Sequence, residues 1–346
     1  MNTGMRILVA GLGSMGKRRI RCLQRLGFRD VTGFDLRADR RDEAQRLYGV
    51  PVAGTVDEAL ARDPEAMIIS VPPDVHHEWL GRALDRRCHA FVEASVVDTG
   101  IEEAMERQRE ANVVVAPSAT LLFHPAIRTI RRLVDSGRLG KLSNVMLHSG
   151  QYLPDWHTYE KVSDYYVSNP ATGAAREIVP FELSWIVQLL GFPERVAGNV
   201  RKTIEIEGAE GIDDTYNALL DYGSFLMTLT VDVVSRHAVR RLLLNGSQAQ
   251  VVWDWDIPVV RLFDAVRGQW EEIPYELDAA QSGYNVNIGE SMYVEELRAF
   301  FDAVNGAAFP RTLAEDLRVL RLLYAIEESD RTSTIVRLLE WRRPAS

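Results

Sequence analysis

The segment that most restricts the fold lies near the start of the chain: Met5-Arg-Ile-Leu-Val-Ala-Gly11-Leu-Gly13-Ser-Met-Gly16. A short apolar run ends in Gly-x-Gly-x-x-Gly, a helix-compatible stretch follows at once, and Asp35 closes the next apolar run 19 residues beyond Gly16. A lone Gly-x-Gly-x-x-Gly says little. In this strand–turn–helix setting, with an acid at the right distance, it predicts a dinucleotide site. Gly11 permits the tight turn, Gly13 lets backbone approach a pyrophosphate, and Gly16 lets the helix pack closely on the strand. The helix start, through Leu12, Ser14 and Met15, offers free N–H groups and the positive end of a dipole to the phosphates. Asp35 is expected to accept the adenosine ribose hydroxyls and repel a 2′-phosphate, which favours NAD over NADP. Leu36 and Arg37 belong to the same cofactor-facing turn. Arg37, Arg40 and Arg41 read either as a solvated turn and helix start or as groups that stack on adenine or tolerate the phosphate.

Strand and helix patterns continue to alternate over roughly the first 118 residues, which predicts a doubly wound parallel sheet. Ala66–Val71 is a continuous apolar run, as expected for a strand covered on both faces. Ser70, Val71, Pro72 and Pro73 lie at its carboxyl end, where open α/β sheets bind ligands. Asp74 is a candidate cap for the next helix. Glu93, followed by Ala94, ends a later strand at the same edge. The basic run Lys17, Arg18, Arg19, Arg21 and Arg25 reads best as a solvated face of the first helix, with a weak field for phosphates as the alternative.

From Ala119 the pattern changes. An amphipathic helix over 125–136 and an alternating strand over 141–153 precede a polar, aromatic loop, and a helix spans about 174–190. Strand-like runs follow at 195–204, 215–221, 225–234, 238–244, 249–253 and 258–263, with Asn245-Gly246 as a strong hairpin signal. Helices at about 291–304 and 312–328 close the chain. The fold class expected is therefore an α/β Rossmann dinucleotide-binding domain, residues 1–118, and an α+β domain, residues 119–346, built on a large, mainly antiparallel open sheet. An open sheet face usually finds a partner, so a homodimer or homotetramer through that sheet is expected.

A length of 346 residues exceeds one ordinary core and fits two domains. The net charge of −9 argues against nucleic-acid binding, which needs clustered cations. No apolar run approaches the ~20 residues that span a bilayer, and the chain enters its first strand without a visible signal peptide. Cys22 and Cys88 lack metal spacing and suit a reducing, cytoplasmic setting. His157 and Glu160 have metal-like spacing but no third ligand, so no metal is expected.

The motifs narrow the field further. Ala10-Gly-Leu-Gly-Ser-Met-Gly16, Ser70-Val-Pro-Pro-Asp-Val-His76, Phe91-Val-Glu93, Phe123-His-Pro125, Ser136-Gly-Arg-Leu-Gly140, Leu313-Ala-Glu-Asp316 and Ala325-Ile-Glu-Glu-Ser329 occur in this order over nearly the whole length. Together they resemble the glucose–fructose oxidoreductase/inositol dehydrogenase/MocA family of NAD(P)-dependent sugar oxidoreductases. Gly150-Gln-Tyr-Leu-Pro-Asp-Trp156 looks like members from nucleotide-sugar and sialic-acid-type pathways. The resemblance puts His76 on the cofactor side and Glu93 near the nicotinamide ribose.

The departures are as informative. The family's Glu-Lys-Pro is Glu93-Ala94-Ser95 here, so the lysine that assists proton transfer is gone. The family's Asp-x-x-x-His-x-x-Asp helix becomes Glu177-Ile-Val-Pro-Phe181-Glu-Leu-Ser184, with phenylalanine for the acid/base histidine. Replacement acid/base groups are sought in Tyr166, His157 and Glu177. Tyr152, Asp155, Trp156, Tyr165, Phe181 and Glu182 are the candidate substrate contacts, because rings cover a sugar's apolar face and acids accept its hydroxyls. Glu177 and Glu182 alternatively form salt bridges with Arg176 or another basic residue. Pro180 should kink this helix or mark its start.

The leading expectation is an NAD-dependent oxidoreductase of a sugar, cyclitol or nucleotide-linked sugar. A redox-neutral epimerase or eliminase with tightly held NAD is one alternative. A catalytically silent NAD- or sugar-binding regulator is the other, since the resemblance extends to a transcriptional co-repressor of this fold.

Overall fold

The structure, a computed structural model, describes residues 2–278, 280, 288–339 and 341. Residues 279, 281–287, 340 and 342–346 of the expected second domain lie outside the described residues. The chain forms two compact units, Met1–Thr120 with Glu290–Arg318, and Leu121–Gly289 with Val319–Ser346. Glu290–Arg318, which the sequence reading had in the second domain, thus returns to the first unit.

The first unit is built from β1 (Ile7–Ala10), α1 (Ser14–Arg25), β2 (Val31–Phe34), α2 (Ala38–Tyr48), β3 (Val52–Ala53), α3 (Val56–Ala61), β4 (Ala66–Ile69), α4 (His76–Asp85), β5 (His89–Val92), α5 (Ile101–Ala111) and β6 (Val115–Pro117). The sheet runs β3-β2-β1-β4-β5-β6 with every pair parallel. All residues of β1, β2 and β4 are buried, as expected of strands covered on both faces. The strand order reverses between β1 and β4, and that reversal is where ligands bind in such sheets. Local signals set the helix ends. Gly49 stops α2 with φ +66°, and Thr55 and Glu58 form a reciprocal capping box on α3. Asp74 does not cap α4. A 3₁₀ turn over Pro73–Val75 leads into that helix, which has no side-chain cap.

α1 overturns one expectation. Its basic run is not a solvated face: Arg18 and Arg19 are buried, Arg19 completely. Arg19 lies on the side of the helix that also carries Gly16, Ile20 and Leu23, whereas Arg18, near the opposite side, lies 4.2 Å from the centre of the Tyr293 ring. Lys17 pairs with Glu43 at 2.6 Å, and Arg21 pairs with Glu290. Only Arg25 is exposed as the sequence suggests.

The second unit begins with α6 (Pro125–Asp135), β7 (Leu142–Tyr152) and α7 (Ala174–Leu190). It continues through β8 (Arg195–Arg201), β9 (Thr215–Asp221), β10 (Leu226–Asp232), β11 (Val234–Gly246), β12 (Ala249–Asp254), β13 (Val259–Asp264) and β14 (Gln269–Pro274). α8 (Ser291–Val304) follows in the first unit, and α9 (Leu313–Thr332) and β15 (Val336–Arg337) end the described elements. Nine strands are ordered β14-β13-β12-β11-β7-β10-β9-β8-β15. All pairs are antiparallel except β7 with β10. Strand alternation sets the faces: Val145, Leu147, Met227, Leu229 and Leu220 are buried, while Met146, Leu226 and Leu219 stay more than two-fifths exposed on the other face. Strands β3, β14 and β15 were not legible from the sequence. Pro180 lies inside the 17-residue helix α7, so it does not mark its start.

Among the described residues no helix is long and apolar enough to cross a membrane. No group of three or more potential metal ligands occurs among them.

Candidate active site

In the first unit the glycine-rich turn has the shape its sequence implies. Gly11 has φ +87°, and a Cβ there would sit 2.3 Å from the Ser70 carbonyl oxygen. At Gly16 a Cβ would sit 1.8 Å from the Gly11 carbonyl oxygen, so α1 can approach β1 only with glycine at that position. Gly13 differs. Nothing but the Arg40 side chain comes within 4 Å of its Cβ position, at 3.4 Å, so its backbone faces open space. Gly13 is also the N-cap of α1, with no side-chain cap and no acid in the first turn. A helix start fronted by glycine, with no acidic residue in its first turn, is of the kind that can hold a pyrophosphate. Leu12 is buried against Gly33, and Ser14 and Met15 open the helix.

At the end of β2, Asp35 is 8% exposed and already organised. Leu12 N–H donates to its Oδ2 at 2.7 Å, and Arg37 N–H donates to its Oδ1 at 2.8 Å. The carboxylate thereby ties the glycine turn to the turn that precedes α2. Around it, the Arg37 side chain pairs with Asp39 at 2.7 Å. Arg41 Nη1 donates to the carbonyls of Asp35 and Leu36, and Arg40 reaches Asp35 only at 3.9 Å. Leu36 is 85% exposed, an apolar platform beside these groups.

Beyond β4, Val71 and Pro72 stay accessible while Pro73 is buried. His76 Nε2 donates to the Val71 carbonyl at 3.0 Å, pinning the loop back onto α4. Burial lowers the His76 pKa, so this imidazole is held neutral. Glu93, one residue past β5, is fixed by three donors. Arg19 Nε donates to Oε1 at 2.6 Å, Arg19 Nη2 to Oε2 at 2.8 Å, and Ser70 Oγ to Oε1 at 3.2 Å. Ala94 beside it has no proton to exchange.

The candidate substrate residues lie in the second unit. His157 is stacked between Tyr159 and Tyr165, with centroids 5.1 and 4.7 Å away, and its Nδ1 is 2.9 Å from Glu160 Oε1. Tyr166 Oη donates to Glu177 Oε1 at 2.7 Å, and its ring meets Tyr165 edge-on. Tyr165 therefore joins a histidine–glutamate pair to a tyrosine–glutamate pair. Burial first, then the charges of Glu160 and Glu177, push the Tyr165 pKa well above the ordinary phenol value. Its Oη and Trp156 Nε1 are both buried without a hydrogen-bond partner. Asp155 is exposed, Phe181 is half-buried, and the Tyr152 ring carries the Arg236 guanidinium 3.9 Å above its centre.

Glu182 belongs elsewhere. It is completely buried, and it accepts from Ser149 Oγ at 2.8 Å, Arg240 Nε at 2.8 Å and Trp185 Nε1 at 2.8 Å. The salt-bridge alternative weighed for this residue is the one realised, with Arg240 rather than Arg176 as the cation; Arg176 pairs with Glu327 at 2.6 Å. Sequence reasoning missed Arg19, Arg240 and Glu296. Arg19 had a usable signal, since it stands three residues after Gly16 and four before Leu23, on the inward stripe of α1.

Two family descriptions match the chain: an oxidoreductase family with an NAD-binding Rossmann fold over residues 5–116, and the GFO/IDH/MocA C-terminal domain over residues 127–252. The chain belongs to the Gfo/Idh/MocA oxidoreductase family. Among relatives of this family, D-xylose 1-dehydrogenase (NADP(+)) 2 of Haloferax volcanii is 26% identical over 322 residues, covering 86% of this chain and 90% of that protein. The scyllo-inositol 2-dehydrogenase (NADP(+)) IolW of Bacillus subtilis is 22% identical over 330 residues, covering 86% of each. In three dimensions, levoglucosan dehydrogenase in complex with NADH and levoglucosan superposes with a TM-score of 0.84 at 14% identity, covering 97% of this chain and 99% of that one. At that identity the likeness establishes the fold only. This Gfo/Idh/MocA protein is accordingly an oxidoreductase with an NAD(P)-binding Rossmann unit.

Proposed function

We propose that this protein is an NAD-dependent dehydrogenase or reductase of a sugar, cyclitol or nucleotide-linked sugar, with Tyr166, Glu177 and His157 as its acid/base group. The observation that carries this reading is the 2.7 Å hydrogen bond from Tyr166 Oη to Glu177 Oε1. A phenol that can pass its proton to a carboxylate is able to take one from a substrate hydroxyl in the same step. Bound nicotinamide would supply the hydride acceptor or donor. The chain's own groups have the remaining task of moving one proton at the carbinol or carbonyl oxygen, which Ala94 and Phe181 cannot do. Tyr165, with its raised pKa, serves as a hydroxyl donor rather than a base. Tyr152, Asp155, Trp156 and Phe181 provide rings and an acid of the kind that recognises a polyol. Relatives named as xylose and scyllo-inositol dehydrogenases support a substrate of that class.

For the cofactor, Gly11, Gly13 and Gly16 with the start of α1 would hold the pyrophosphate, and Asp35 the adenosine ribose. The acid at that corner, and the engagement of Arg37 and Arg41 with other groups, support NAD over the NADP named for two relatives. Ser70, Val71, Pro72, Pro73 and His76 would wall the nicotinamide end. The apolar residues on the outer face of the nine-stranded sheet suit a homodimer or homotetramer, which light scattering of the purified chain would test. Function is tested by screening polyols and nucleotide sugars for NADH absorbance change. Turnover with a polyol is expected; a protein that binds NAD yet turns over none of them would overturn the reading.

A further inference from the structure

Tyr166 is attached to the start of α7 twice. Its hydroxyl donates to Glu177, in the first turn of that helix. Its carbonyl accepts from Asn169 N–H at 3.1 Å and from Thr172 Oγ1 at 3.0 Å, and Thr172 has no accessible surface. The backbone in between lies directly on the helix start. A Cβ at Gly173 would sit 2.7 Å from the Asn169 carbonyl oxygen and 2.8 Å from that of Val167, so the turn over Tyr166–Ser168 reaches this place only with glycine there. A tyrosine held by its main chain and by its hydroxyl has little freedom in where its oxygen lies.

Arg176 braces the main-chain attachment. Its Nη1 donates to the Ala171 carbonyl, within the segment that returns from Tyr166 to the helix. The same guanidinium grips Glu327 of α9 with two N–H bonds, Nε to Oε1 at 2.6 Å and Nη2 to Oε2 at 3.2 Å, a fork that fixes orientation as well as distance. Tyr216 Oη donates to the same Glu327 Oε1 at 3.3 Å, and the guanidinium carbon lies 5.5 Å from the centre of the Tyr324 ring. Burial works against the charge on Arg176, but the Glu327 carboxylate more than offsets this and its pKa is raised. Successive helical residues point about 100° apart, so Arg176 reaches α9 while Glu177 beside it meets Tyr166. A fork between α7 and α9 would join two helices without touching the loop; the contact with Ala171 ties that joint to Tyr166 as well. We infer that Arg176 is a positioning residue that sets the Tyr166 hydroxyl on the Glu177 carboxylate, by bracing the Ala171 carbonyl against Glu327. The inference rests on the reading of Tyr166 and Glu177 as proton-transfer groups.

The first arm of the test needs no substrate. In the full chain labelled with 3-fluorotyrosine, the Tyr166 fluorine signal is identified by its loss in Tyr166→Phe, and Glu177→Ala shows where that signal moves when the acceptor is gone. Arg176→Lys keeps the charge but loses the fork, and should move the signal in the same direction. Glu327→Gln weakens the fork from its other end and should do likewise, even if Arg176→Lys impairs folding. A purely structural pair would lower the melting temperature and leave the signal in place. The second arm uses the polyol that the NADH screen identifies. Arg176→Lys should lower kcat about tenfold with KM within about twofold, since a misplacement of about 1 Å can cost about a hundredfold. It should cost nothing further in Tyr166→Phe. Variants that fold and leave the fluorine signal where the wild type has it, or a kcat loss that persists in full in Tyr166→Phe, would overturn the inference. A chain that turns over no polyol would defeat the acid/base reading alone, and the fluorine signal would still decide whether Arg176 holds Tyr166.

Discussion

Two buried arginines, one in each unit, show how similar chemistry serves different ends. Arg240 in the second unit and Arg19 in the first are each locked to a glutamate by short hydrogen bonds, and each lies against an aromatic ring. Their acids differ. Glu182 has no exposed surface, and Ser149, Trp185 and Arg240 account for both of its oxygens. Glu93 keeps part of its surface and one acceptor site at a sheet edge. A closed pair of this kind fixes a core, whereas an acid left partly open keeps an acceptor within reach of solvent. The distinction lies in the exposure of the carboxylate, not in the strength of the pair.

The sharpest way to break the comparison is to remove the closed acid. Glu182→Ala leaves a buried guanidinium uncompensated and two further donors unsatisfied, so it should cost about 3–5 kcal/mol of stability. Urea denaturation measures this. Its NADH affinity should change little at temperatures where it folds, whereas loss of NADH binding with unchanged stability would erase the contrast between the two arginines.

The next effect belongs to the half-buried acid/base cluster of the second unit. Tyr166→Phe removes one hydroxyl and leaves the ring in place. With a turned-over polyol in hand, kcat should fall about a hundredfold, at the low end of general acid–base contributions, with little change in melting temperature. A kcat within threefold of wild type would move the proton-transfer role to His157, whose replacement by alanine would then carry the loss.

How much of this was legible beforehand depends on what each feature rests on. Gly11, Gly13, Gly16 and Asp35 were readable because tight turns and close approach demand particular residues at particular spacing. The helices at 174–190 and 291–304 were readable from their apolar spacing. Glu182 was weighed as a substrate contact because a helix with an internal proline invites a kink, but the residue that claims it, Arg240, lies 58 positions away on β11. Pairing across that distance leaves no periodic trace. Arg19 was hidden differently: composition placed it among surface cations, although its spacing placed it inside. A run of basic residues made composition outweigh register, and the register was right. Strands β3 and β15, two residues each, fall below what alternation can register. The ring contacts among His157, Tyr159, Tyr165 and Tyr166 depend on irregular backbone that no period describes.

A smaller effect bears on the corner at Asp35. Asp35→Ala should remove both the ribose acceptor and the repulsion of a 2′-phosphate, with Arg40 already nearby. The ratio of NAD(H) to NADP(H) dissociation constants, measured by calorimetry, should shift toward NADP(H) by about tenfold, or roughly 1.4 kcal/mol. Tighter binding of NADP(H) than NAD(H) by the wild type would overturn the role given to Asp35. Because Asp35 also accepts from Leu12 N–H, some loss of affinity for both cofactors should accompany the shift.

The smallest effect tests the surroundings of the closed pair. His124, the N-cap of α6, accepts from Ala126 N–H and packs on Trp253 and Tyr275. Burial, helped by the positive charge of Arg240, depresses its pKa to about 3. An unfolded chain protonates this histidine near its ordinary value of about 6.5, while the folded chain does not. Between those two values the unfolded state therefore binds the extra proton, and stability falls as pH is lowered, by at most about 1.4 kcal/mol per pH unit from this residue. His76, also held neutral by burial, adds to the slope in the same direction. His124→Asn separates them, because asparagine can still cap the helix but cannot titrate. Urea midpoints at pH 7 and pH 5 should differ less for this variant than for the wild type. An unchanged difference would mean that His124 is protonated in the folded protein, and a cation next to Arg240 would require the Glu182 site to be less closed than its hydrogen bonds imply.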